Sequence, residues 1–163
     1  MHRRAFLRTP ATAAPLTALA GTALAAFTPR VLQFAHLHTA ERLKVEYSDG
    51  VRYLPDALAA VNHLLRDFRT GDEHAIDPKL LDLLHALHTS TGSTRPFEII
   101  SGYRSPQTNT MLRHRGGGGV ASGSLHMVGQ AIDIRLPDVP LASLRDAALA
   151  LGRGGVGYYA ASN

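Results

Sequence analysis

Residues 124–133 constrain the fold more than any other stretch, because their sequence SLHMVGQAID places a histidine and an aspartate seven residues apart, with a glycine between them. In a continuous helix, His126 and Asp133 would lie roughly 10 Å apart along the axis. In a continuous strand they would lie roughly 23 Å apart. The chain therefore brings these two side chains together only if it turns between them, and Gly129 is the residue that permits such a turn.

The residues after Gly129 are predicted to form a strand, because GQAIDIRL alternates between the two faces that a strand presents. Ile132 and Ile134 would face the core, whereas Ala131 and Asp133 would face the opposite side. The small side chain of Ala131 would leave space beside Asp133 for a metal or a substrate.

A chain without cysteine can still bind zinc through an imidazole nitrogen and a carboxylate oxygen that a turn brings together. Two ligands of one zinc ion lie within roughly 3 to 4 Å of each other, since each bond is about 2 Å long. A hydrolytic site needs three protein ligands and one open position for water. His126 and Asp133 would supply two of the three, so the segment predicts part of a zinc hydrolase site.

Residues 1–25 are predicted to be an export signal. A basic start, HRRAFLR, precedes an uncharged stretch rich in Ala, Leu and Thr and a small-residue cleavage site at residues 23–25. The pair Arg3 and Arg4, followed by Phe6 and Leu7, resembles a signal for the twin-arginine translocase, which exports folded proteins. We therefore expect a mature domain of residues 26–163 in the periplasm or cell envelope.

An N-terminal membrane anchor is the alternative to a cleaved signal. Pro15, Gly21 and many alanines make the stretch short and weakly apolar beside the roughly 20 apolar residues that a span requires. Cleavage is the preferred prediction, and it leaves no stable membrane span in the mature protein.

Cleavage also changes the charge. Loss of Arg3, Arg4 and Arg8 lowers Lys plus Arg from 17 to 14 against 13 Asp plus Glu, so a net charge of +4 becomes +1. A chain this close to neutrality gives no support for nucleic-acid binding, which uses a basic face. The absence of cysteine excludes disulfides and thiolate chemistry but does not contradict export.

The predicted strands and helices of the mature chain are interspersed without a regular repeat, which favours an α+β fold. Strands are predicted at 43–47, 97–100 and 154–159, with 51–53 pairing back after a turn. Four helices are predicted: one opened by Pro55 that stops near Gly71, a Leu-rich core helix from Asp77 to Gly92, one capped by Ser105, and one over 140–151.

Three motifs occur in the order and approximate spacing of one group of bacterial cell-wall enzymes. They are SGYRS at 101–105 with Asn109 following, SLHMVGQAID at 124–133 and GGVGYY at 154–159. The chain resembles the zinc D-Ala-D-Ala peptidase group, which shares the fold of hedgehog signalling domains, and within it the YcbK-like murein endopeptidases. The pattern SxHxxGxAxD is matched at Ser124, His126, Gly129, Ala131 and Asp133, and the likeness extends over most of the mature chain.

The resemblance implies a small antiparallel sheet flanked by helices and zinc-dependent hydrolysis of peptide cross-links in bacterial peptidoglycan. It implies that His126 and Asp133 bind Zn²⁺, and that the pKa of a zinc-bound water falls toward about 7, giving hydroxide that attacks a peptide carbonyl. Two plainer alternatives stay open. In the first, His126 would be an ordinary surface or core histidine. In the second, Asp133 would cap a turn or pair with Arg135, although adjacent strand residues point to opposite faces.

Arg104 lies on a loop after a predicted strand, where a guanidinium binds a substrate carboxylate or stabilises the oxyanion that forms on attack. Clamping the loop is its structural alternative. Ser124 is predicted to orient the His126 loop or a substrate group. Gln107 and Asn109 are predicted substrate-binding residues that fix the SGYRS loop, with ordinary helix-start hydrogen bonding as their alternative.

Other histidines carry weaker signals. His85 and His88 have a metal-binding spacing on a predicted helix, but their Leu-rich surroundings favour partial burial or an exposed edge. His36 and His38, two apart on a possible strand, would share a face and have a structural role. The glycines at 116–119 lack the phosphate-loop pattern GxxxxGK[ST] and are predicted to be a mobile border of the active site.

In the family that the chain resembles, the third zinc ligand is a histidine in an FVHxD-like segment after the GGVGYY region. The same segment also holds the acid or base. That ligand and the last strands are expected beyond Asn163, so the sequence is interpreted as a fragment or an early termination. The alternative from another class is a catalytically inactive peptidoglycan-binding module that keeps Arg104 but not the metal. A partner-binding signalling domain is disfavoured by the export signal and the SGYRS loop.

Overall fold

The computed structural model describes residues 28–115 and 120–160. The predictions for residues 1–25 and 116–119 therefore lie outside the described residues. No helix in the described part of the chain combines the length and apolar character needed to cross a membrane. The elements, in chain order, are β1 (Arg30–His36), β2 (Arg42–Ser48), α1 (Pro55–Leu64), α2 (Pro78–Thr91), β3 (Phe97–Ser101), α3 (Pro106–Arg115), a 3-10 helix (Leu125–Val128), β4 (Asp133–Arg135) and α4 (Leu141–Leu151).

The four strands form one sheet in the order β2-β1-β3-β4. The β1–β2 and β3–β4 pairs are antiparallel, whereas β1 and β3 run parallel. The α+β prediction is confirmed, but the sheet is mixed rather than wholly antiparallel. The parallel pair is possible because α1 and α2 connect β1–β2 to β3, a crossover long enough to return the chain in the same direction.

The core lies between the sheet and helices α1 and α2. Each of the two central strands contributes a pair of inward side chains that are at most 2% exposed, in keeping with the two-residue period of a strand. Helix α2 buries three leucines at helical spacing, as predicted for its Leu-rich run. The residues just described are Leu32, Phe34, Phe97, Ile99, Leu81, Leu84 and Leu87.

Helix ends follow local chemistry where the neighbouring chain does not interfere. The Asp77 carboxylate accepts the Lys79 N–H at 2.9 Å and Pro78 occupies the first turn of α2, which ends at Gly92 with a φ of 65°. Both ends were predicted. Helix α1, in contrast, ends at Leu64 and not near Gly71, so that prediction was wrong. The chain after Leu64 leaves the helix to bind the loop that follows β3, and this tertiary contact overrides the periodic pattern.

Three further sequence predictions need correction. Residues 154–159 do not form a strand, because they are exposed and none of the described strands pairs with them. Strand β4 has only three residues, from Asp133 to Arg135. His38 lies in the turn after β1, so His36 and His38 do not share a strand face.

Candidate functional site

The turn predicted at Gly129 is present, and glycine is required there. Gly129 ends the 3-10 helix with a φ of 67°. A Cβ at this position would lie 2.2 Å from the carbonyl oxygen of Ala75, so no larger residue fits without moving the backbone. The Gly129 carbonyl also accepts the Asp77 N–H at 3.0 Å. The turn is therefore anchored to the segment that leads into α2.

This turn brings His126 and Asp133 together. The Nε2 atom of His126 lies 3.6 Å from Oδ1 of Asp133, and the histidine side chain is 13% exposed. Asp133 lies opposite Ser101 at a register shift between β3 and β4, and such bulges redirect side chains next to active sites. The alternative pairing of Asp133 with Arg135 is excluded, because Arg135 pairs with Glu98 at the other end of β4.

The His126 ring is fixed by the SGYRS loop, residues 101–105. Its Nδ1 lies 2.8 Å from the carbonyl oxygen of Gly102. A carbonyl oxygen accepts only, so Nδ1 carries the proton and a neutral ring presents the Nε2 lone pair toward Asp133. In metal sites, a hydrogen bond of this kind to the ring nitrogen that does not bind the metal fixes the orientation of the imidazole.

The SGYRS loop is itself docked on the chain that follows α1. Tyr103 N–H donates to the carbonyl oxygen of Leu65 at 2.7 Å. A Cβ on Gly102 would lie 2.5 Å from the same oxygen, so the close approach requires glycine. The Arg104 N–H donates to the His126 carbonyl at 3.1 Å and ties the loop to the 3-10 helix. Backbone contacts therefore join three segments around His126.

The Arg104 side chain lies near the carboxylate oxygen of Asp133 that His126 does not approach. Its Nη2 is 3.9 Å from Oδ2 of Asp133, and the side chain is 14% exposed. The Nε atom is buried without a hydrogen-bond partner among the described residues. Backbone hydrogen bonds also hold the loop, so the substrate-binding and clamping roles of this guanidinium both stay predictions.

The other predicted site residues differ in position. The Ser124 hydroxyl accepts the His126 N–H at 3.4 Å at the start of the 3-10 helix, as a residue that orients the His126 loop would. Asn109 is 3% exposed, and its Nδ2 donates to the Ala121 carbonyl at 3.1 Å. It therefore fixes the chain that leads into residues 124–133. Gln107 is exposed in the first turn of α3 and makes no polar side-chain contact with the described residues.

The remaining histidines of the described residues do not gather into a metal site. His88 Nε2 contacts the Arg95 carbonyl at 2.9 Å, a hydrogen bond that occupies this nitrogen. Burial lowers the pKa of His85, which packs edge-on against Tyr47. His36 is buried beside Phe68, and its Nδ1 accepts the backbone N–H groups of residues 38 and 39. A structural role, expected for His36 from the sequence, agrees with these contacts.

Asp67 is a residue of the site region that the sequence did not reveal. Its carboxylate is 1% exposed, and its Oδ2 accepts the Ser105 N–H at 2.8 Å. The sequence around it, DFRTG, signals only a turn, in which Asp67 Oδ1 accepts the Arg69 N–H at 3.0 Å. Its burial against the SGYRS loop depends on packing between distant segments, which no local pattern contains.

The donor atoms at His126 and Asp133 fit zinc. The separation of 3.6 Å suits two ligands of one ion with bonds of about 2 Å, and the second nitrogen of the ring has a partner. In residues 28–115 and 120–160, no group of three or more His, Cys, Asp or Glu side chains is arranged to hold a metal. The described part of the chain thus brings together two donor side chains, one fewer than the three protein ligands that catalytic zinc takes.

The sequence matches one family of known proteins. Residues 24–163 match the model of the family described as peptidoglycan L,D-endopeptidase MepK. The chain is 45% identical over 135 residues to the peptidoglycan L,D-endopeptidase MepK of Escherichia coli K12, an alignment that covers 83% of the chain and 74% of the relative. It is 42% identical over 136 residues to a probable peptidoglycan L,D-endopeptidase MepK of Haemophilus influenzae, covering 83% of the chain and 73% of the relative. No solved structure gave a significant match.

Proposed function

Because this chain belongs to the peptidoglycan L,D-endopeptidase MepK family, we propose that it is a zinc-dependent hydrolase that cleaves L,D peptide bonds in the cross-links of peptidoglycan. The observation that carries the zinc proposal is the pairing of His126 Nε2 with Asp133 Oδ1 at 3.6 Å, while Nδ1 is held by the Gly102 carbonyl. This arrangement turns two donor atoms toward one point.

His126 and Asp133 are the proposed zinc ligands on this part of the chain. We propose that the third ligand, and the acid or base that moves protons during hydrolysis, come from a histidine-containing segment beyond Asn163, as the family resemblance implies. Zinc, when bound, supplies a Lewis acid that lowers the pKa of water and polarises a carbonyl group. The Gly102 carbonyl keeps His126 in the tautomer that this role requires.

Arg104 is the proposed substrate-binding or oxyanion-stabilising group. Its guanidinium lies beside Asp133, so it reaches the reacting centre. There it donates hydrogen bonds either to the carbonyl oxygen that gains negative charge during attack or to a substrate carboxylate. Burial strengthens both interactions, because little water screens the charge. Ser124 and Asn109 act one step away by fixing the segment that carries His126.

The proposed function is tested on protein made from the complete reading frame. We expect about one zinc per chain, release of cross-linked muropeptides cleaved at L,D bonds, loss of cleavage after chelation, and recovery on adding stoichiometric zinc. Mass spectrometry of the muropeptides identifies the bond, and a dimer joined by a D,D bond is the matched control substrate. Undiminished cleavage by the metal-free protein would reject zinc dependence, and peptidoglycan binding without cleavage would indicate an inactive binding module.

We also propose that residues 1–25 direct export through the twin-arginine translocase, which would bring the enzyme to its substrate in the cell envelope. Changing Arg3 and Arg4 together to lysine is expected to leave the precursor inside the cell, since this signal is read through its arginine pair. Cell fractionation measures the outcome. Arg8→Lys, outside the pair, is the control. Normal export of the double variant contradicts the proposal, and an uncleaved protein in the membrane fraction supports an anchor.

A further inference from the structure

A buried carboxylate lies beneath the SGYRS loop without touching the proposed metal ligands. Asp67 follows the end of α1 and is 1% exposed. Its two oxygens accept backbone N–H groups from different segments, that of Ser105 at 2.8 Å and that of Arg69 at 3.0 Å. The side chains of Thr108 and Ser105 also favour the charged form of this carboxylate. Asp67 therefore joins the end of α1 to both the SGYRS loop and the start of α3.

The charge of Asp67 is retained despite its burial. Burial by itself raises the pKa of a carboxyl group, but the hydrogen bonds from Thr108, Ser105 and Arg69 outweigh it, and the pKa of Asp67 is lowered from its ordinary value. Hydrogen bonds to an ionised acceptor are stronger than those to a neutral one. The hydrogen bond from Ser105 to the charged Asp67 therefore restrains the loop more strongly than the same bond to a neutral amide side chain would.

The restraint is applied next to the catalytic centre. Ser105 directly follows Arg104, whose guanidinium lies beside Asp133 and whose N–H donates to the His126 carbonyl. Fixing the Ser105 backbone therefore restricts the position of the Arg104 backbone, from which the guanidinium extends. The Arg104 Nε has no hydrogen-bond partner among the described residues, and the ion pair of the guanidinium with Asp133 spans 3.9 Å. The backbone that carries Arg104 therefore contributes to where the guanidinium lies.

We infer that Asp67 is a positioning residue that acts through Arg104: by holding the Ser105 N–H, it sets the guanidinium against Asp133 and the substrate. The inference rests on the proposed function, in which Arg104 contacts the reacting substrate. It adds a residue that lies 34 positions before the start of the SGYRS motif and outside every motif that the family resemblance supplied.

Asp67→Asn tests the inference because it keeps the shape of the side chain and removes one acceptor oxygen together with the charge. We expect kcat to fall by about 10²-fold, the cost of misplacing a reacting group by about 1 Å, with an unchanged zinc content. In the Arg104→Ala background the same change should lower kcat less than about 3-fold, because residues that act as one unit have non-additive effects. Thermal unfolding identifies a temperature at which every variant is folded.

Asp138→Asn is the control for loss of a carboxylate away from the loop. Asp138 is exposed, accepts hydrogen bonds from the Ser93 hydroxyl and the Thr94 backbone N–H, and lies beyond the far end of β4. A purely structural role predicts that both Asp→Asn variants lose stability and keep kcat, and this result overturns the inference. An equal fold-loss from Asp67→Asn with and without Arg104 overturns it as well.

Amide hydrogen exchange separates this inference from the proposed function. The Ser105 amide should exchange faster in Asp67→Asn and normally in Asp138→Asn, whatever the chemistry at the metal site. Unchanged exchange at Ser105 overturns the role of Asp67. Absence of zinc-dependent cleavage by the unmodified protein, with exchange altered as expected, overturns the proposed function and with it the catalytic part of the inference.

Discussion

His126→Ala is expected to abolish zinc binding and to lower kcat/KM on the order of 10³-fold or more, since a metal that stabilises charge in the transition state contributes several kcal/mol. The substitution removes the Nε2 donor beside Asp133 and leaves the Gly102 carbonyl without its Nδ1–H partner. The described residues bring no third donor side chain to this site, so none of them can replace the lost nitrogen. Zinc content by atomic absorption and muropeptide release measure the two effects independently.

His114→Ala is the control for this prediction. His114 lies exposed in the last turn of α3, and the structure gives it no role at the site. Its loss should leave zinc content and activity unchanged, which also excludes its recruitment as a substitute ligand. If His126→Ala keeps one zinc per chain and more than a tenth of the activity, His126 is not a ligand.

Local chemistry made parts of this fold predictable. Asp77 before Pro78, Gly92 at a helix end and Gly129 between His126 and Asp133 are signals in which one residue satisfies a specific backbone need. Each of these was correctly located from the sequence. The convergence of His126 and Asp133 followed from the same reasoning, because only a turn brings side chains seven residues apart this close together.

Predictions that depended on distant partners were less successful. The apolar spacing that extended α1 to Phe68 was outweighed by contacts of Leu65 and Asp67 with the SGYRS loop. The parallel pairing of β1 with β3 could not be inferred, since either direction satisfies the same alternating pattern. Asp67 illustrates the limit most clearly, because nothing in DFRTG distinguishes a solvated turn aspartate from a buried one.

Arg104→Ala is expected to lower kcat by about 10² to 10³-fold, the usual cost of removing one donor to an oxyanion, while zinc content stays at the level of the unmodified protein. The Arg104 side chain is 14% exposed, and its guanidinium lies 3.9 Å from Asp133 Oδ2, beside the proposed ligands but not among them. Steady-state kinetics on a defined cross-linked muropeptide measures the effect.

The same kinetics separate the two roles open to Arg104. Oxyanion stabilisation is made only in the transition state, so its loss lowers kcat with little change in KM. Binding of a substrate carboxylate is already present in the ground state, so its loss raises KM, and Arg104→Lys then recovers only part of the affinity because lysine lacks the paired donors. Arg135→Ala is the control. It breaks an ion pair with Glu98 at the end of β4 away from Asp133 and should change neither kcat nor KM. Equal kinetic effects of the Arg104 and Arg135 variants would show that the Arg104 side chain only supports the fold.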